Sequence, residues 1–297
     1  MALSKAKTKL LERLRHSRFR SREGLFLVEG IRGVEEAMDA TLPHAFRFTL
    51  TSPRLRDTLR GREVAARLAK AGISVEDVPD DELARVADTE QPQGLLLVAE
   101  EPALTLEAVL AGLPDHRPPR LLLLDGLQDP GNAGTLIRAA RAFGVDGVVA
   151  LKGTVDPWNS KVVRASAGAL FHLPVLREGR EGVLPLLGEA RIPLLAAVAS
   201  GTDVRRLTAP RTWALVVGNE GAGVGGELLE AARETVSVPM APGVDSLNAG
   251  VAGSILLFAL TAPPRARGWG EPVPATTRRA LAEDVRVSPD QEGGDEA

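Results

Sequence analysis

The sequence predicts an α/β protein in two parts, a small α/β unit followed by a larger domain on a mostly parallel sheet. Three observations lead there. Short apolar runs alternate with helical stretches over residues 25–99, and the alternation resumes more strongly after residue 120. The run LLLLD (121–125) is apolar at consecutive positions, as a strand covered on both faces must be. Residues 100–120 hold one short helical stretch and four prolines, ending in Pro118-Pro119, which cannot continue a helix. A linker over 101–119 therefore separates a unit at 23–100 from a domain at 120–263.

In the first unit, GLFLVEG (24–30) reads as a strand and IRGVEEAMDA (31–40) as a helix. HAFRFTLTS (44–52) is a second strand, GREVAARLAKAG (61–72) a helix and ISVEDVP (73–79) a third strand. The helix DDELARVADTE (80–90) and the strand GLLLVAE (94–100) complete it. After the strand at 121–125, the helix AGTLIRAARAFG (133–144), closed by Gly144, leads into VDGVVALKG (145–153). NSKVVRASAGALFHL (159–173) reads as helical and is followed by a segment centred on PLLAAVAS (193–200). TWALVVGNE (212–220) is a buried strand, GELLEAARE (226–234) a helix, VSVPM (236–240) a strand and NAGVAGSILLFALTA (248–262) the closing helix. Strand–helix alternation of this length implies a mostly parallel sheet with helices on both faces.

Composition limits what such a protein does. At 44% hydrophobic and 25% charged residues it is an ordinary globular chain. The absence of cysteine excludes a disulfide scaffold, a thiolate zinc site and a cysteine nucleophile. No apolar run approaches the ~20 residues of a membrane helix, and the basic start lacks the apolar core of a signal peptide. A cytoplasmic protein is expected. The net charge of −3 averages unlike ends. Residues 1–22 hold eight Lys/Arg against Glu12, a local net of +7, and read as a basic arm, either solvated or in contact with phosphate. Residues 280–297 have a net of −5, and 264–297 as a whole read as a Pro- and acid-rich tail. Aromatics are only 3%, so stacking platforms for bases cannot be extensive. His16, His44, His116 and His172 show no ligand spacing; they are expected to be structural, and no metal is expected.

Three segments carry residues that packing alone does not select. In DGLQDPGNAGTLIRAA (125–140) a buried strand gives way to a Gly/Pro loop and a helix starting near Asn132, a competent N-cap. Loops at the carboxyl ends of parallel strands are where ligands sit in such sheets. Arg138 lies six residues on, about 9 Å along the axis, and a long helical side chain leans back toward the loop. The apolar stripe of Leu136, Ala140 and Phe143 does not require it. The second segment, VVGNEGAGVGGELLE (216–230), contains G-x-G-x-x-G at Gly221, Gly223 and Gly226, with Asp245 downstream as a ribose contact, so an NAD-dependent dehydrogenase is one reading. Glu220 opposes it, since its charge would stand beside a pyrophosphate. The third, VSVPMAPGVDSLNAGVAGSILLFAL (236–260), runs from a strand through a polar loop into a helix whose Ala249, Gly250, Ala252, Gly253 and Ser254 permit close approach of another backbone. Ser246 and Asn248 serve either as caps or as site residues.

Taken together and in order, these segments resemble the three motifs of the SpoU (TrmH) family of RNA ribose 2′-O-methyltransferases, within the SPOUT superfamily. The first motif, N-x-G-x-x-x-R, falls on Asn132, Gly134 and Arg138; the second, G-N-E-G-x-G, on Gly218 to Gly223; the third on Pro239, Met240, Ser246, Leu247 and Asn248. KVVRASAGALFHLPV (161–175) is similar to the family's intervening helix, and GLFLVEGIRGVEEAM (24–38) to its ribosomal-protein-like substrate-binding domain.

The resemblance implies a C-terminal α/β trefoil knot at 120–263 behind an RNA substrate-binding domain at 23–100, in a homodimer. It implies S-adenosylmethionine as methyl donor, contacted by Gly218, Asn219, Val238, Met240 and Leu247. Arg138 would anchor the RNA phosphate beside the target ribose, since a guanidinium does not readily deprotonate. Asn132, Ser246 and Asn248 would orient the hydroxyl and Arg138, and Glu220 would hold that arginine. The implied substrate is structured RNA, 23S ribosomal RNA first and transfer RNA as the alternative. A non-catalytic RNA-binding or ribosome-assembly factor is the competing class, against which stand the intact Asn132, Arg138, Glu220, Ser246 and Asn248.

Overall fold

The computed structural model describes residues 3–42 and 45–261. Two helices open it, α1 (Lys5–Leu14), capped by the Ser4 hydroxyl, and α2 (Ser17–Glu23), ended by Gly24 at φ 63°. Then come β1 (Leu25–Glu29), α3 (Ile31–Met38), β2 (Phe46–Thr51), α4 (Leu59–Lys70), β3 (Val75–Asp77), α5 (Asp80–Val86) and β4 (Leu95–Glu100). The four strands form one sheet in the order β1-β4-β2-β3, with β4 antiparallel to both neighbours. After α6 (Leu106–Ala111) follow β5 (Arg120–Asp125), α7 (Pro130–Ala142), β6 (Gly147–Leu151), α8 (Ser160–Ala165), β7 (Val175–Glu178), α9 (Arg180–Glu189) and β8 (Leu194–Asp203). The chain continues through β9 (Trp213–Gly218), α10 (Gly226–Ala231), β10 (Glu234–Ser237) and α11 (Ala249–Thr261).

The second sheet is parallel throughout, in the order β10-β8-β9-β5-β6-β7. Its central strand explains the unbroken apolar run. Leu122 and Leu124 enter one core cluster with Val148, Leu215 and Val217, while Leu121 and Leu123 enter another with Val149, Ala214 and Val216. Every strand therefore ends at the same edge, where Asp125 of β5 is paired with Gly218 of β9.

Several expectations change in this architecture. Residues 1–22 are not a free arm: from Lys5 onward they form α1 and α2, and Leu11 and Leu14 are buried with Leu25, Leu27, Leu50 and Val98. Apolar burial on one helix face outweighs the repulsion of a basic segment. Nor is 101–119 only a linker, because Leu106 and Val109 of α6 pack into the second core with Leu121 and Val149. The helix read at 159–173 stops at Ala165, where Ala167 (φ 49°) and Gly168 (φ 88°) turn the chain into a 3-10 turn at Ala169–Phe171. Residues 174–192 hold β7 and α9, which the periodicity does not announce, since α9 carries Pro185 within it. The tail at 264–297 and His44 lie outside the described residues. No helix among the described residues is long and apolar enough to cross a membrane.

The two sheets are joined by apolar and ionic contacts. Phe26 of β1 packs on Trp158 with ring centroids 4.6 Å apart and faces Phe171 at 6.3 Å. Beside them Arg20 of α2 is buried, donating from Nε to Asp156 at 2.7 Å and from Nη1 to the Leu14 carbonyl at 2.7 Å. Arg177 of β7 bridges Asp156, Ser21 and Glu101.

Removing one partner of a buried ion pair strands the other. Arg20→Met should therefore cost about 3 kcal/mol, seen as a lower urea midpoint; an unchanged midpoint would make the pair neutral. Burial pushes the Glu101 carboxyl up to about 7, against the pull of Arg177 and with Asp156 adding to the rise. Since an unfolded glutamate titrates near ~4.3, the folded state keeps its proton longer, and stability falls as pH rises between those values. The thermal midpoint of the wild type should decline more steeply over that window than that of Glu101→Gln. Parallel curves would remove Glu101 as the cause.

Candidate functional site

The carboxyl edge of the second sheet gathers the loops that leave β5 and β9 and the residues that open α11. The first loop ends in α7, whose N-cap is Asp129, accepting from Asn132 N at 2.7 Å, with Pro130 in the first turn. Asn132 is therefore not the N-cap that its position near the helix start suggests. Standing one turn inside the helix and 7% exposed, its side chain is free for another task. It donates from Nδ2 to Oε1 of Glu220 at 2.9 Å. Glu220 also receives the backbone N–H groups of Gln128 at 3.4 Å and Asp129 at 3.5 Å. Burial disfavours the carboxylate, but the bonds from Asn132 and the backbone outweigh it and hold the acid below its ordinary value. Glu220 thus secures Asn132 and the entry of α7.

The second loop is folded on itself. Asn219 and Gly223 exchange both backbone hydrogen bonds at 2.9 Å, and Asn219 Oδ1 accepts from Gly221 N and Ala222 N, each at 2.9 Å. Asn219 Nδ2 donates to the Gly126 carbonyl at 2.7 Å, tying this loop to the first. A Cβ on Gly218 would stand 2.2 Å from the Gly223 carbonyl carbon, so only glycine allows this crossing. Gly221, Gly223 and Gly226 do lie between a strand and a helix, but their loop is closed by Asn219 and anchored by Glu220. Asp245 lies apart in an exposed loop.

The third segment meets the first through glycine. A Cβ on Gly250 would lie 3.1 Å from Asn132 Oδ1 and 3.2 Å from Asn248 Oδ1. Asn248 itself caps α11, accepting from Val251 N at 3.1 Å. Gly253 is pressed against Leu136 of α7 and Val217 of β9, where a Cβ would stand 2.5 and 3.1 Å from their methyl groups. The fold thus brings together Asn132, Glu220, Asn219, Gly218 and Asn248. Ser246 is exposed and Leu247 is 37% exposed, while Val238 and Met240 are half-buried beyond β10. Arg138 is exposed on the outer face of α7, without a hydrogen bond or ion pair among the described residues.

Two site-building residues escape a reading of motifs. Asp125, 2% exposed, accepts from Arg180 Nη2 at 2.6 Å and from Gly225 N at 2.8 Å, clamping the far end of the second loop. Thr154 accepts from Gly126 N at 2.9 Å and donates to the Leu124 carbonyl at 2.7 Å. The acid ending the LLLLD run is the available signal for the first, but its partner is 55 residues away. Of the histidines, His172 faces Glu36 at 3.3 Å. Among the described residues no group of three His, Cys, Asp or Glu side chains is placed to hold a metal ion.

Comparison with known proteins gives the family to which the chain is similar. The model of the SpoU rRNA Methylase family matches residues 119–258, and that of the MRM3-like substrate binding domain matches residues 5–97. The chain is 32% identical to the 23S rRNA (guanosine(2553)-2′-O)-methyltransferase RlmP of Bacillus subtilis, over 86% of this chain and 95% of that protein. It is 29% identical to the mitochondrial rRNA methyltransferase 3 of Homo sapiens, over 81% of this chain and 68% of that one. Among solved structures, the SpoU methyltransferase AviRb of Streptomyces viridochromogenes with AdoMet superposes at a TM-score of 0.75, with 28% identity over 87% of this chain and 97% of that one. An AdoMet-bound rRNA methyltransferase from Sinorhizobium meliloti gives 0.74, with 27% identity over 88% of this chain and 95% of that one. The dehydrogenase reading falls with these matches: the chain belongs to the SpoU family of ribosomal RNA methylases.

Proposed function

We propose that this protein transfers a methyl group from S-adenosylmethionine to a ribose 2′-hydroxyl of ribosomal RNA, with 23S ribosomal RNA as the substrate. The observation that carries this reading is the convergence of three distant segments on one edge, with Asn132 bonded to Glu220 and flanked by Asn248 across Gly250.

The residues present fit the donor. Among the described residues, the segment 238–247 contains a single hydrogen bond, Val244 N to the Ala241 carbonyl at 3.3 Å. Its backbone, exposed over 241–248, is open to a ligand held mainly by backbone contacts. Gly218, Asn219, Val238, Met240 and Leu247 are the residues that would hold it. When bound, S-adenosylmethionine supplies a methyl group on an electrophilic sulfonium, so the protein's task is alignment and management of the hydroxyl proton. Asn132, oriented by Glu220, presents its amide, and Asn248 and Ser246 supply further hydrogen-bonding groups to place the ribose hydroxyl. Arg138 keeps its charge at all working pH values and is free to grip the phosphate next to that ribose and to stabilise developing alkoxide charge.

Two architectural inferences accompany this reading. The last segments thread as a trefoil knot; supporting it, the chain leaves β10 at the sheet edge and α11 returns to the centre against α7 and β9. The protein works as a homodimer; supporting it, Val244, Leu247, Val251, Ile255 and Phe258 are each 37–48% exposed along one stripe of α11 and its approach. The spacing of four and three residues from Val251 to Phe258 places those three on one face of α11, and exposed apolar patches of this kind mark interfaces.

The purified protein should label one ribose of a 23S ribosomal RNA transcript from methyl-labelled S-adenosylmethionine; no label in any ribosomal RNA would overturn the reading. Arg138→Ala should leave donor affinity unchanged and lower methyl transfer about ten- to a hundredfold, the worth of a charge-assisted hydrogen bond. Near-normal turnover would remove that assignment. Ile255→Glu should shift the protein to monomer in analytical ultracentrifugation, and an unchanged sedimentation coefficient would place the interface elsewhere.

A further inference from the structure

The fold sorts the eight basic side chains of residues 1–22 into two groups. Lys7 pairs with Glu76. Arg15 donates to the carbonyls of Arg85 and Ala87 at 3.0 and 2.8 Å and pairs with Asp88 at 3.1 Å. Arg20 is buried on Asp156. These three fasten the helices to the protein. The others serve no such purpose. Lys5, Lys9 and Arg18 are exposed and without an ion pair among the described residues. Arg13 and Arg22 lie over the ring of Phe19, 5.2 and 4.7 Å from its centroid, and Arg22 also touches Glu23 at 2.5 Å. The result is a cationic surface with planar guanidinium groups, the chemistry that grips phosphates and stacks on unpaired bases.

This surface borders a cleft of about 590 Å³ that opens between α2 and the ends of β6 and β7. That size lies within the ~300–1,000 Å³ of ligand-binding clefts. Ser17 and Ser21 line one wall, and Lys152, Gly153 and Thr154 another. Arg18 and Arg22 sit about 100° further round α2 than those serines, at the rim. The second wall leads to the transfer site: the Gly153 carbonyl accepts from Gln128 Nε2, and Val155 N donates to the Leu127 carbonyl at 2.7 Å. Glu178 and Glu181 also line the cleft. These exposed carboxylates disfavour phosphate beside them, so the phosphate contacts fall to the cationic residues of α1 and α2.

We propose that Arg13, Phe19 and Arg22, together with Arg18 and the cleft beside them, form the track that leads the ribosomal RNA strand to the methyl-transfer site. The proposal rests on the reading of the protein as a ribosomal RNA methyltransferase and adds where the polyanion lies. Basic residues beside a catalytic edge steer and hold RNA through counterion release, so each neutralised phosphate adds to the salt dependence of binding.

The test compares the full-length wild type with the triple variant R13Q/R18Q/R22Q, using a 23S ribosomal RNA transcript as probe. Binding is measured across a sodium chloride series, together with donor affinity by titration calorimetry and methyl transfer at saturating RNA. The slope of log K against log salt should become shallower by about 2–3, at ~0.7–0.9 for each phosphate no longer neutralised. Donor affinity should not move, which also reports a folded variant. A control, R60Q/R67Q, removes two arginines of α4, outside α1 and α2 and not among the residues that line the cleft, and should leave the slope as in the wild type. A triple variant with the wild-type slope overturns the track, as does a control that flattens the slope equally. If the wild type itself binds no donor and labels no RNA, the methyltransferase reading fails and takes the track with it.

Discussion

The packing of α11 on α7 and β9 is the constraint from which the site follows. Gly250 and Gly253 let the helix approach so closely that a methyl group at either position would meet a side chain of α7. Gly134 does the same on another side of α7, where a Cβ would stand 2.4 Å from that of Ala165. Small residues at these positions replace apolar bulk with proximity, and proximity brings the third loop to the first. Had α11 carried leucines on this face, the core would gain buried area while Asn132 and Asn248 moved apart. The apolar stripe that α11 turns outward reflects the same division of labour, with bulk placed where the described residues leave it exposed.

The two domains are coupled through the loop that follows β6. Asp156 receives Arg20 from the N-terminal helices, while Gly153, Thr154 and Val155 hold the loop that follows β5. The stretch 153–156 therefore connects the helices that open the substrate-binding domain to the loop that places Asn132. This makes the N-terminal helices part of the working protein, although their sequence looks like a solvated basic tail.

Much of the fold is legible in the sequence because burial leaves a simple trace. A strand covered on both faces must be apolar at every position, which locates β5 and β9, and the period of α7 follows from its apolar stripe. What cannot be read depends on partners far along the chain. Asn132 looks like a cap because it is a capping residue near a helix start; Asp129-Pro130 is the stronger signal, and it releases Asn132 for Glu220. The Asp125–Arg180 clamp joins the ends of β5 and β7, strands separated by β6 in the sheet, and only the topology reveals their closeness. The break at Ala167 and Gly168 is hidden because the apolar residues on either side of it, Val162, Val163, Leu170 and Phe171, keep a helix-like spacing across it. Leu11 and Leu14 are hidden by the charges beside them. For the candidate site, the three motifs fall on loops that meet at one sheet edge, where Glu220 bonds Asn132 and the entry of α7.

One consequence follows from the sparsely bonded stretch between β10 and α11. A segment with a single internal hydrogen bond loses conformational entropy when an occupant fastens it, a penalty of order 1 kcal/mol for each residue fixed. Affinity at this place thus measures attraction gained minus freedom surrendered. Whatever immobilises the stretch beforehand would lower the penalty for the next arrival and so couple the two events without any change in the surrounding scaffold.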